Sequence, residues 1–300
     1  KRRELVGLTA YLVLRGSAQY ERQQLIDESI RVSGNAQVSS STNSFTIQVS
    51  AKKEHFAEYF KFILDNLKQP KFEDKEFELI RNQTLAALDR PYTEPDTVMG
   101  FKLAEILEQY QPGDFLYRFD PELSKADLKR ATNADIQAFY QQFFNLKHAQ
   151  VAVTGDFKAP LMLNVLQKEL GNWSGTTQFE RILPTHKAYP AQKHHVFAEP
   201  REFGSYTALL TLPVSSEDHD APALSVLNHI LGGSQLSSRL AKELREKNGL
   251  VYGFSSHLTT HRDVQSGALS ISANYSAGKS HQVSQAVQQV LQVLIDKGVT

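Results

Sequence analysis

Cysteine is missing from the 300-residue chain, and methionine and tryptophan nearly so, with two copies and one. The lack of cysteine excludes disulfides, thiol nucleophiles and Cys-ligated zinc or iron–sulfur centres. Cytosol and periplasm both tolerate it, so the compartment stays open. Charge of one sign is also missing: 33 Lys and Arg face 33 Asp and Glu, for a formal net charge of zero. That balance argues against a cationic groove that captures nucleic acid by counterion release. No apolar run approaches the roughly 20 residues of a membrane helix, so no membrane span is expected. The first residue is Lys1 and no signal peptide is visible, so the expectation is a piece of a longer polypeptide.

What is present is ordinary for a folded protein, 41% hydrophobic and 22% charged residues in a length that suits two domains. Leu25, Ile26 and Ile30 predict a helix over residues 20–33, stopped at Gly34-Asn35. Phe45, Ile47 and Val49 alternate with Thr46, Gln48 and Ser50, which predicts a half-buried strand. Helical spacing returns from Lys52 to Leu67, then over 74–88 (ending before Pro91), 96–110 and, capped by Thr132 or Asn133, to Phe144. VAVTGDF at 151–157 reads as a short strand and 161–170 as a helix. Residues 171–193 lack apolar periodicity and carry Gly171, Gly175, Pro184 and Pro190, which marks a linker. Beyond it come a strand at 206–214, a helix at 221–231 stopped by Gly232-Gly233, and a helix at 237–248 with Ser237 or Ser238 as cap and Gly249 at its end. Paired strands at 251–260 and 267–276 and a helix at 279–295 follow.

The order helix, strand, strand, helix thus occurs at 20–67 and again at 237–295. Two copies of one α+β unit fit this better than one irregular domain. The predicted division is a first domain at 1–172, a linker at 173–193 and a second domain at 194–300, the second cut short at its C-terminus.

A search for chemistry finds few groups. Zinc hydrolases need two His on one helical face and a carboxylate, as in H-E-x-x-H or H-x-x-E-H, and neither motif occurs. His257 and His261 fall in a strand, about 13 Å apart at strand spacing, too far to share an ion. His194 and His195 start a predicted strand and point to opposite faces, so solvent exposure is the expectation. G-x-S-x-G is absent, and Gly232-Gly233-Ser234 reads as a helix end. No phosphate-cradling glycine motif is present. Glu73, Asp74, Glu76 and Glu78 open a helix, where its dipole explains them. One constellation remains, LREKNGLVYG at 244–253. Arg245 in a last helical turn and Tyr252 at a strand start are two donors that could grip a carbonyl. On spacing alone, Arg245 offsetting the helix dipole and Tyr252 packing on the sheet serves better.

SSRLAKELREKNGLVYGFSS resembles the signature segment of the C-terminal half of the pitrilysin/insulinase family of zinc metallopeptidases, the inverzincins. GLTAYLVLRGS, the stretch ERQQLIDESIRVSGNAQVSSSTNSFTIQVS, LDNLKQPKFEDKEFELIRNQTLAAL, VAVTGDF and YTALLTLPV follow the family's order, so the resemblance covers nearly the whole chain. Active members carry H-x-x-E-H shortly before the Gly-Ser that Gly16-Ser17 resembles. In that register the two His positions hold Gly7 and Tyr11, the general-base position holds Ala10, and the third-ligand position falls at about Ala86 or Ala87. None can ligate zinc or activate its water.

The resemblance therefore implies the catalytically dead half of a zinc metalloendopeptidase. Its fold would be α+β: two homologous domains, each a mostly antiparallel sheet packed with helices, of the LuxS/MPP-like type. This chain would bind no cofactor and cleave nothing alone, and zinc would sit in the partner half. That active, HxxEH-containing partner would be fused upstream or a separate subunit, and the halves would close like a clamshell on a peptide substrate. Arg245 and Tyr252 match the family's substrate-binding pair in type and spacing, and Phe254 with the SSHL strand would line the cleft. Periplasm is a guess from exported bacterial relatives. Two other classes stay open: a structural core-type subunit of the same fold, which needs no Arg/Tyr pair, and a peptide-binding module without proteolysis.

Overall fold

A computed structural model describes residues 3–299 apart from 42–43, 90–93, 118–119, 172, 174, 176–179, 198–201 and 235. Pro91, expected beyond a helix end, and part of the predicted linker lie outside the described residues. The chain divides into two units. Unit 1 comprises Lys1–Arg90, Gly113–Phe115 and Phe119–Ile182; unit 2 comprises Pro91–Pro112, Leu116–Arg118 and Leu183–Thr300. Residues 91–112 thus group with the sheet that follows them by almost a hundred residues.

Unit 1 is built around α1 (Glu4–Leu12), whose Leu5, Leu8, Thr9, Ala10 and Leu12 are all buried. A helix covered on most of its circumference has little apolar periodicity, which is why the sequence does not announce it. The hairpin β1 (Asn35–Ser40) and β2 (Phe45–Ser50) is antiparallel, pairing Val38 with Ile47 and Ala36 with Val49. Phe45, Ile47 and Val49 turn toward the core and their polar neighbours outward, the expected alternation. Around these lie α2 (Arg22–Arg31), α3 (Phe56–Lys68), α4 (Asp74–Leu88), α6 (Pro121–Arg130), α7 (Asn133–Phe143) and α8 (Ala159–Leu170). Of the two candidate caps for α7, Thr132 serves: its Oγ1 accepts from the Asp135 N–H, and Asp135 accepts from the Thr132 N–H. Residues 151–157, expected as a strand, form no ladder among the described residues, and Val151 is half exposed. A strand persists by pairing, and none of the described strands pairs with this segment.

Unit 2 carries α5 (Pro95–Ile106) against the edge strand of a three-stranded antiparallel sheet, in the order β3 (Phe203–Leu212), β5 (Gly267–Ser276), β4 (Val251–Thr260). Ile271, Ala273, Phe254, Leu244 and Leu250 join Val283, Val287 and Val290 of a long helix at Ser280–Lys297 in one core. The helices are α9 (Ala221–Asn228), continued by a π-helical turn His229–Gly233, and α10 (Ser280–Lys297). The predicted helix at 237–248 is largely π-helical over Ala241–Lys247, with the Ser238 hydroxyl accepting from the Ala241 N–H. His194 and His195, expected to begin a strand, are exposed in irregular chain. The order α2, β1, β2, α3 in unit 1 and π-helix, β4, β5, α10 in unit 2 is the repeat read from the sequence.

Candidate functional site

The segment from Ala241 to Phe254 is fixed from beneath by apolar anchors. Leu240 and Leu244 are fully buried, and Leu250 and Val251 nearly so. Gly249 reverses the chain at φ +53°, a left-handed conformation in which a side chain is costly. Two bonds close the helix end there, from the Gly249 N–H to the Arg245 carbonyl (3.1 Å) and from the Leu250 N–H to the Leu244 carbonyl (2.8 Å). The polar residues of the turn hold one another. Asn248 Nδ2 donates to the Glu243 carbonyl (2.7 Å), Lys247 pairs with the Glu243 carboxylate (3.2 Å), and Lys279 Nζ donates to the Gly249 carbonyl (3.1 Å). These three locks went unnoticed in the sequence, although Asn248-Gly249 is a standard turn signal.

Arg245 is exposed and, among the described residues, has no hydrogen-bond or ion-pair partner for its guanidinium. Tyr252 lies across the turn, 73% exposed, its hydroxyl 2.8 Å from Ser276 Oγ. Its exposure comes from a register shift. Val251 faces Tyr275 and Gly253 faces Asn274, so Tyr252 is one extra residue in the ladder. By simple alternation Tyr252 would share a face with Phe254 and Ser256, both buried. The bulge turns it outward instead, a common way to re-aim one side chain. Phe254, expected to line a cleft, is a correction: it is 9% exposed and part of the unit 2 core.

In unit 1 the positions that the resemblance assigns to zinc chemistry fall on two packed helices. Gly7, Ala10 and Tyr11 are on α1; Ala86 and Ala87 are on α4. Carboxylates on these helices are engaged otherwise. Glu4 accepts from Ser124 Oγ (2.8 Å), and the buried Glu76 accepts from Arg15 (2.9 Å), with Arg22 at 3.6 Å. Glycine, alanine and a phenol cannot supply a tetrahedral zinc site, so these residues do not fit the metal. Among the described residues no three His, Asp or Glu cluster as a metal site, and no helix is long and apolar enough to cross a membrane.

Solved structures share this architecture. The peptidase M16 inactive domain from Pseudomonas fluorescens superposes with a TM-score of 0.76 over 99% of this chain and 70% of that one, at 20% identity. The periplasmic protease PqqL from Escherichia coli gives 0.76 over 99% of this chain and 32% of its own, at 15% identity. Pitrilysin gives 0.69 with the same two coverages, at 18% identity. The fold is thus one shared with M16 peptidases, and the positions that the resemblance assigns to zinc chemistry hold glycine, alanine and a phenol. Residues 130–300 match the family model described as the peptidase M16 inactive domain, and residues 8–112 match that of insulinase, peptidase family M16. The chain belongs to peptidase family M16 and carries its inactive domain. It is similar to the uncharacterized zinc protease YmxG of Bacillus subtilis, 40% identical over 77 residues, and to an uncharacterized zinc protease of Mycobacterium leprae, 45% identical over 78. The matched stretches span 26% of this chain and only 18% and 17% of those relatives.

Proposed function

We propose that this chain is the non-catalytic half of a zinc metalloendopeptidase, forming one wall of a clamshell peptide chamber. In this reading zinc belongs to an HxxEH-containing active half, in the same polypeptide or a separate subunit. Arg245 and Tyr252 reach that half's site and donate hydrogen bonds to the scissile carbonyl as it becomes an oxyanion. The observation that carries the reading is the exposure of Arg245 and Tyr252 together at the Gly249 turn. Every other polar side chain described above in that turn is engaged locally, whereas Arg245 has no partner among the described residues and a bulge turns Tyr252 into solvent. A residue needed only for the helix dipole or for packing would need neither. The family membership and the zinc proteases among its relatives support a peptidase context.

The test uses the complete peptidase. Arg245→Ala is expected to lower kcat by about 10²-fold, the usual loss of one oxyanion donor. Tyr252→Phe is expected to do the same while leaving the fold's circular dichroism intact. Unchanged turnover in both variants would instead favour a scaffold subunit. Metal analysis of this chain after dialysis is expected to find no stoichiometric zinc, and one tightly held ion would overturn the assignment of zinc to the partner.

A further inference from the structure

Unit 2 contains a second polar feature, at the far end of β4 from Tyr252. Residues 184–189 form a strap over one corner of the sheet. With Leu107 and Gln109 just beyond α5, the strap borders an open pocket of about 220 Å³. Its floor is Leu209, Thr211, Ala268 and Thr259, which by the strand register lie on the face opposite the core residues Ile271 and Phe254. The strap is held in place before any ligand arrives. Gln109 Nε2 donates to the Thr185 carbonyl (2.9 Å), Thr211 Oγ1 to the Lys187 carbonyl (3.0 Å) and the Tyr189 hydroxyl to the Leu107 carbonyl (2.5 Å).

The cavity's lining carries one formal charge, the Lys187 ammonium. Lys187, His186 and His261 line it, and no Asp or Glu does. Lys187 Nζ rests 5.2 Å from the Tyr189 ring centroid and makes no ion pair among the described residues. Glu108, beside the strap, is turned onto its own backbone and accepts from the N–H groups of Gln109 and Tyr110. Between Tyr252 and this cavity the outer face carries no formal charge. Ser255, His257 and Thr259 face Ser272, Ser270 and Ala268, and Ser255 and Ser272 share a hydrogen bond of 2.8 Å. A neutral, hydroxyl-rich strip ending at a lysine without a carboxylate suits an extended chain that is neutral along its length and anionic at its end.

We propose that the cavity is a carboxylate subsite that takes the C-terminal carboxylate of a peptide lying extended along β4 and β5. This rests on the chamber reading above, because it places the peptide on the face that carries Tyr252. From Tyr252 to Thr259 the strand advances about 23 Å at roughly 3.3 Å per residue, so the carboxylate belongs about seven residues beyond the scissile bond.

The experiment measures KM with the complete peptidase for peptides extending from about four to about ten residues past the cleavage point, each as free acid and as C-terminal amide. The free acid is expected to have a KM about tenfold below the amide's at about seven residues, with the advantage fading at other lengths. Lys187→Gln is expected to bring the ratio of the two KM values close to one. Arg245→Ala is expected to lower kcat and leave that ratio standing. A ratio near one at every length in the wild type overturns the subsite, and the chamber reading survives if Arg245→Ala still lowers kcat. An amidated peptide with Glu at the seventh residue that matches the free acid overturns the assignment to the chain terminus in favour of an acidic side chain. Unchanged kcat in Arg245→Ala overturns the chamber reading itself, independently of the KM ratio.

Discussion

In unit 1, α1 holds Gly7, Ala10 and Tyr11 at the positions that the resemblance assigns to zinc chemistry, yet it still buries Leu5, Leu8 and Leu12 in the core. In unit 2, the turn after Ala241–Lys247 is held by Leu244 and Leu250 and also displays Arg245 and Tyr252 at no evident benefit to packing. The two regions teach that packing and chemistry are separable demands on one kind of fold. A helix needs volume on its buried side and tolerates Gly or Ala where a ligand would stand. The proposed site asks instead for specific donors, and Arg245 and Tyr252 stand on irregular backbone, a π-helical turn and a bulge.

That separation is sharpest at neighbouring residues. Leu244→Ala is expected to destabilise the protein by about 2–5 kcal/mol, because a fully buried side chain leaves a cavity; urea denaturation measures it. Arg245→Ala, one residue on, is expected to leave the denaturation midpoint within about 0.5 kcal/mol while costing the turnover described above. If both changes act on stability alike, the Gly249 turn is merely structural.

The glycines extend the comparison, with opposite signs. Gly249→Ala forces a Cβ into the left-handed region at φ +53° and is expected to cost about 1–2 kcal/mol. Nothing lies within 4 Å of a Cβ added at Gly7, in the middle of α1, so Gly7→Ala is expected to stabilise by about 0.5–1 kcal/mol. Thermal unfolding of the two variants checks both signs, and a loss of stability in Gly7→Ala would show that packing at this helix does require glycine.

The smallest effect concerns the acid end of the pH range. Hydrogen bonds from Lys71 (2.5 Å) and then Lys75 (2.8 Å) draw the Glu73 carboxyl from 4.5 down to about 2. The folded value lies below the unfolded one, so the stabilisation is full above about 4.5 and is lost as pH falls through about 2. The wild type is therefore expected to exceed Glu73→Gln in urea midpoint at neutral pH, with the difference closing toward pH 2. An undiminished difference there would mean that the lysines do not hold this carboxylate.

Much of this was legible in the residues themselves. Period-two alternation in 45–50 and 267–276 located two strands, and Thr132 or Asn133 marked the start of a helix. Residues 4–17 contain no His, so the residues alone put Gly7 and Tyr11 where the resemblance expects zinc-binding His. What escaped was whatever neighbours decide. The helix α1 has no clear polar face because other elements surround it. VAVTGDF has strand composition but no described strand to pair with. Phe254 looked available for a cleft until the ladder turned it into the core.

The order of side chains by itself determined that Gly7, Ala10 and Tyr11 stand where the resemblance places zinc chemistry and that a guanidinium and a phenol stand seven residues apart around Asn248-Gly249, since these are matters of which functional groups exist. Only the tertiary structure decided which way Tyr252 faces. Strand alternation assigns it to the buried side with Phe254; the extra residue in the β4–β5 ladder moves it out, because register is set by pairing with another strand and not by the strand's own sequence.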